Sequence, residues 1–66
     1  MKLTINGAAH EVPAGITVAQ AVKRLTEQTS GVAVAVNDEV VRRGAWDSTA
    51  LDEGDRVEVL TAVQGG

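Results

Sequence analysis

His10 is the only histidine in a chain that contains no cysteine. A metal site built on it would need further imidazole or thiolate ligands, and the composition supplies none. His10 therefore reads as a solvated residue on a strand. The absence of cysteine also removes a disulfide framework, thiolate metal sites and a side-chain thiol nucleophile. Asp52, Glu53 and Asp55 gather around Gly54, but their spacing fails the calcium-loop pattern and is ordinary turn chemistry. No paired acids and no Ser/His/Asp arrangement can be assembled, and Ser30 and Ser48 sit in breaker-rich stretches. There is no glycine-rich phosphate loop. The sequence thus assigns no catalytic residue, no metal ligand and no bound cofactor.

Three features remain. Trp46, the single tryptophan, has the chemistry of an interface anchor, but without another aromatic it reads as the closure of a core otherwise made of Val and Ala. Arg42 and Arg43 are adjacent, so on a strand they point to opposite faces and read as solvated. The last feature is the run Ala62-Val63-Gln64-Gly65-Gly66. A tail of six residues past Leu60 spans up to ~20 Å when extended. Two glycines lacking Cβ atoms let such an end thread a narrow channel in another protein.

The elements that position these residues follow from periodicity. Leu3 and Ile5 alternate with Lys2 and Thr4, and Asn6-Gly7 is the dipeptide that best tolerates positive φ at both turn positions. A hairpin back through Ala8 to Val12 is expected, its second strand an edge that stops at Pro13. Thr17-Val18-Ala19-Gln20 has capping-box spacing. The helix it opens carries Val18, Ala21, Val22 and Leu25 on one stripe and is expected to end near Gln28, before Thr29-Ser30-Gly31. Residues Gly31 to Asn37 alternate Val with Ala, predicting a strand with its Val side toward the helix. A turn at Asn37-Asp38-Glu39 leads to a short strand over Val40 to Arg43. A loop with one helical turn holds Trp46 and Leu51, and Arg56 to Thr61 forms the last strand, with Val57 and Val59 opposite Glu58 and Leu60.

One helix across a mixed sheet is an α+β layer solution. Placing the last strand parallel to the first, between the elements with the clearest alternation, gives a β-grasp with four to five strands. The expected organisation is a single domain over 1–61 and a flexible C-terminal tail over 62–66. With 66 residues, folding buries only ~60% of the unfolded surface, so a deep catalytic pocket is not expected and stability is modest and partner-dependent. A net charge of −3 and a pI near 4.8 lack the cationic footprint of nucleic-acid binding. No apolar run approaches ~20 residues, and the N-terminal segment breaks too early for a signal region. The expectation is a cytoplasmic protein with neither nucleic acid nor membrane as partner.

The hairpin, the helix, the Val-rich strand through Val36-Asn37, Val41 with Arg43, Trp46, Leu51, Gly54-Asp55 and the terminal Gly65-Gly66 together resemble the ThiS family of thiamine-biosynthesis sulfur carriers. The resemblance covers the whole chain and implies a ubiquitin-like β-grasp. It also implies that the chain is no enzyme but a protein substrate. An E1-like (ThiF-like) adenylyltransferase, using ATP and Mg²⁺, would form an acyl-adenylate on Gly66. A persulfide-bearing sulfur donor protein would then convert it to a thiocarboxylate, used by a ThiG-like thiazole synthase. Gly65, Gln64 and Val63 would present that end.

If Val57 and Val59 face the helix, Leu60 and Glu58 share the open sheet face with Ala33 and Ala35. That small, apolar surface beside the tail is the expected docking patch; an isolated exposed leucine is the plain alternative. Other functions compatible with this reading are a molybdopterin-synthase small subunit or another Gly-Gly sulfur carrier, and a ubiquitin-like protein modifier. An RNA-binding β-grasp is disfavoured by acidity and by the lack of stacking aromatics.

Overall fold

A computed structural model describes residues 1–26 and 31–61. The elements are β1 (Lys2–Ile5), β2 (Ala8–Glu11), α1 (Val18–Leu25), β3 (Val32–Val36), β4 (Glu39–Val41), a 3₁₀ segment (Arg43–Ser48) and β5 (Arg56–Thr61). The five strands form one sheet in the order β2-β1-β5-β3-β4. β5 runs parallel to β1 and antiparallel to β3. The last strand therefore lies in the centre beside the first, as the alternation requires.

Local chemistry explains the connections. Asn6 and Gly7 take φ of 50° and 83° in the β1–β2 turn, and Asn37 and Asp38 take 50° and 71° in the β3–β4 turn. Both tight turns thus use residues that tolerate the left-handed region. The Thr17 hydroxyl accepts from the Gln20 amide, and the Gln20 side chain accepts from the Thr17 amide at 2.9 Å, completing the capping box.

Two boundaries fall short of the sequence reading. α1 ends at Leu25, where Thr26 turns extended (φ −153°) and its N–H closes on the Val22 carbonyl at 3.0 Å. A β-branched residue gives up little by leaving the helix; Gln28, the expected end, lies outside the described residues. Leu25 is 39% exposed, so the buried stripe stops at Val22. β4 ends at Val41 and not at Arg43, because the Trp46 indole donates to the Val41 carbonyl at 3.0 Å and the Ala45 amide to the Arg42 carbonyl at 2.8 Å. These bonds bend the chain so that the tryptophan turns inward.

The core lies between α1 and one face of the sheet. Leu3, Ile5, Val34 and Val57 from the strands meet Val18, Ala21 and Val22 from the helix, and Ile16, Leu51 and Trp46 close the ends. No polar or charged residue is buried among the described residues. No described element covers the opposite sheet face.

Candidate functional site

β5 alternates strictly: Val57 and Val59 are buried, while Arg56, Glu58 and Leu60 are exposed. Pairing with β3 sets Leu60 opposite Ala33 and Glu58 opposite Ala35. Directly paired residues share a face, so the four residues of the expected docking patch are brought together on the open side of the sheet. Leu60 is 68% exposed, a large apolar side chain on a central strand. The final β5 pair, Thr61 with Val32, marks the edge from which the chain continues to the tail. Val63, Gln64, Gly65 and Gly66 lie outside the described residues.

The patch extends further than the sequence reading carried it. Val40 pairs with Ala35 on its other side and is 78% exposed, so it belongs to the same surface. Of the three large apolar residues exposed among the described residues, two, Val40 and Leu60, therefore flank the alanines of β3. The missing signal was pairing register: Val40 joins the patch only once β4 is aligned on β3, and alternation within a single strand does not supply that.

Other candidates resolve into structural roles. Trp46 is 5% exposed and completes the core. Arg43 is not simply solvated, since its guanidinium stacks over the Trp46 ring at 4.8 Å. Arg42 is exposed. His10 is half-buried opposite Leu3 on β2, less solvated than a bare edge position implies. The carboxylates near Gly54 fasten their own loop: Glu53 accepts from the Lys2 amide at 3.2 Å, and Asp55 accepts from the Asp52 amide at 2.8 Å and from the Asn37 side chain at 3.0 Å. Among the described residues no group of three or more His, Cys, Asp or Glu could hold a metal ion, and no helix is long and apolar enough to cross a membrane.

Two turn asparagines hold β5 in register. The Asn6 side chain donates to the Val59 carbonyl at 3.1 Å and accepts from the Val59 amide at 2.9 Å. Asn37 accepts from the Arg56 amide at 2.9 Å. Asp38 accepts from the Arg56 guanidinium at 2.6 Å, and this hydrogen bond, reinforced by the opposite charge, holds the guanidinium above its ordinary value.

A helix laid across a five-stranded mixed sheet, with the last strand central and an open face beside its end, defines a ubiquitin-like β-grasp. The crystal structure of the thiamine biosynthesis protein ThiS from Geobacter metallireducens superposes with a TM-score of 0.84 at 36% identity, covering all of both chains. The sulfur carrier protein ThiS of Escherichia coli is 29% identical over 66 residues, the whole of both chains. A thiazole synthase of Magnetococcus marinus is 36% identical over the full length of this chain, which spans 20% of that protein. Residues 3–66 match the ThiS family. This chain belongs to the ThiS family, the small sulfur carriers of thiamine biosynthesis.

Proposed function

We propose that the chain carries sulfur as a thiocarboxylate on Gly66. The reading rests above all on the family match, which runs through Gly65-Gly66 and aligns this chain end to end with the E. coli carrier. A C-terminal carboxylate has a pKa near ~3.5 and is ionised at neutral pH, so it is a poor electrophile and needs activation. In the E1-like partner a carboxylate oxygen of Gly66 attacks the α-phosphorus of ATP, held with Mg²⁺, and pyrophosphate leaves. The terminal sulfur of a donor protein's persulfide then attacks the acyl carbon and AMP departs. A thiol cleaves the resulting acyl disulfide and leaves the thiocarboxylate. That thiol comes from outside this chain, which has no cysteine.

The consumer of the sulfur in this reading is a thiazole synthase. The M. marinus thiazole synthase holds within one polypeptide a region similar to this whole chain, which supports close association between such a domain and the rest of that enzyme. The domain over 1–61 is the handle, and residues 62–66 deliver the reacting carbon. The chain supplies no acid, base or metal of its own.

The test is intact mass after incubation with ATP, Mg²⁺, the adenylyltransferase and a sulfur source. Replacement of one oxygen by sulfur, localised to Gly66, is the expected result. Deleting Gly66 should abolish it while leaving thermal stability unchanged. A deletion variant that still acquires the sulfur would overturn the proposal.

A further inference from the structure

Asn6 meets two demands that pull against each other. Its carboxamide grips both backbone groups of Val59, donating at 3.1 Å and accepting at 2.9 Å, and it stands immediately before Gly7. Asparagine is among the thermally labile residues. Its carboxamide carbon can be attacked by the main-chain nitrogen of the next residue, and glycine, with no Cβ, leaves that nitrogen least hindered. Asn37 makes a comparable grip at the start of β5, accepting from the Arg56 amide at 2.9 Å and donating to Asp55 at 3.0 Å. It is followed by Asp38, whose side chain hinders the same approach. The chain has no other asparagine.

The fold holds the labile pair out of reaction geometry. The two-residue loop between Ile5 and Ala8, with φ of 50° at Asn6 and 83° at Gly7, is a type I′ turn. Its first central residue has ψ of about +30°, which sets the Gly7 nitrogen nearly opposite Cβ across the Cα–C bond. Closing a five-membered ring needs that nitrogen and Cβ nearly eclipsed, a rotation of about 150° from the turn value. The rotation opens the turn and takes the carboxamide off Val59. Asn6 is exposed, so water reaches it.

We propose that Asn6 is a site of spontaneous deamidation, that the closed β1–β2 turn suppresses the reaction, and that conversion permanently removes the clamp on β5. In the opened turn the Gly7 nitrogen attacks the Asn6 side-chain carbonyl carbon and gives its proton to water. The bond from that carbon to Nδ2 breaks and ammonia leaves, forming a cyclic imide. Water then opens the imide at the side-chain carbonyl, giving aspartate, or at the main-chain carbonyl, giving isoaspartate with the chain routed through Cβ. Neither product restores the clamp. Aspartate has no N–H for the Val59 carbonyl and sets a carboxylate oxygen against it. Isoaspartate adds a methylene to the backbone of a tight two-residue turn. Each opening thus carries a chance of a one-way change, and the product opens more often. The inference is independent of the sulfur-carrying reading.

The test incubates the full-length chain in mildly alkaline buffer, with and without denaturing guanidinium chloride. Peptide mass mapping and an isoaspartate-specific methyltransferase follow each asparagine. Without denaturant, conversion at Asn6 should be at least about 10-fold slower than in denaturant, because it proceeds only through the opened fraction. In denaturant, Asn6 should convert at least about 10-fold faster than Asn37, and Gly7→Ala should remove most of that difference. Asn6→Asp reproduces one product while keeping an acceptor for the Val59 amide and a residue that tolerates positive φ. Its melting temperature should fall by about 4–8 °C for the one donor lost. Equal rates at Asn6 with and without denaturant would overturn the protection by the turn. Equal rates at Asn6 and Asn37 in denaturant would overturn the choice of site, and an Asn6→Asp variant that melts with the wild type would overturn the loss of the clamp.

Discussion

Trp46→Phe tests whether a single hydrogen bond sets the place of β4. The indole N–H donates to the Val41 carbonyl at 3.0 Å in a partly buried setting, and phenylalanine removes that bond. Such a loss costs about 1–2 kcal/mol. The smaller ring also forfeits on the order of 40 Å² of apolar contact, roughly 1 kcal/mol at ~25 cal/mol per Å². Arg43 over the ring at 4.8 Å keeps a weaker cation–π partner in phenylalanine. The sum is about 2–3 kcal/mol. A domain of this size has a stability of only about 3–10 kcal/mol, and about 4–8 °C of melting temperature accompanies each kcal/mol, so the midpoint should fall by about 10–20 °C. Urea denaturation followed by far-ultraviolet circular dichroism reads the loss without needing the tryptophan. A variant within about 0.5 kcal/mol of wild type would refute the reasoning. It would mean that β4 and the exposed Val40 are held by the β3 ladder alone.

Leu60→Glu should leave the melting temperature within experimental error, because the side chain is 68% exposed, while raising the KM of the carrier in the adenylation assay by about 10-fold or more; an unchanged KM would remove Leu60 from the docking patch. Asn6→Ala should cost about 2–3 kcal/mol in urea denaturation. It removes both side-chain bonds to Val59, worth about 1 kcal/mol each, and places alanine at a φ of 50°, at about 1 kcal/mol more. Arg56 bears on pH. Its folded value is raised, by the hydrogen bond to Asp38 and then by the opposite charge, so its contribution is fully present below the unfolded value and is lost only as pH rises through the folded one. That window lies in strong alkali, so the stability difference between wild type and Arg56→Gln should stay flat from about pH 7 to about pH 10. A drift across that range would contradict the assignment.

The sequence was most informative where a few neighbouring residues decide the outcome. Asn6-Gly7 gives a turn, Thr17 through Gln20 a capping box, and the alternation in β1, β3 and β5 a sheet with one buried face. The four-residue patch was legible for the same reason, since Leu60 and Glu58 must lie opposite to Val57 and Val59. What escaped depended on bonds between distant segments. The reach of the Trp46 indole back to Val41 shortens β4, and Val40 joins the patch only through its register against Ala35. Ile16, buried from a connecting segment, carries no periodic signal at all.

On the proposed reading the chemistry takes place beyond the fold, so what the fold must supply is a fixed relation between the proposed docking face and the end of β5. Both belong to β5. In a β-strand a slip of one residue exchanges the two faces; here it would send Leu60 and Glu58 inward, expose Val57 and Val59, and draw the tail root along the sheet by about 3.3 Å. Hydrophobic burial opposes a one-residue slip, which would bury Glu58, but a two-residue slip keeps the alternation of faces and is opposed less. The two asparagines add the missing specificity. Asn6 grips both backbone groups of Val59, and Asn37 caps the amide of Arg56, so β5 is held near its end and at its start by polar groups that accept one register only. Each sits at positive φ in a tight turn, where asparagine tolerates the backbone better than most residues. The same two positions thus close the hairpins and align the central strand, which fixes the open face of a domain with so thin a core.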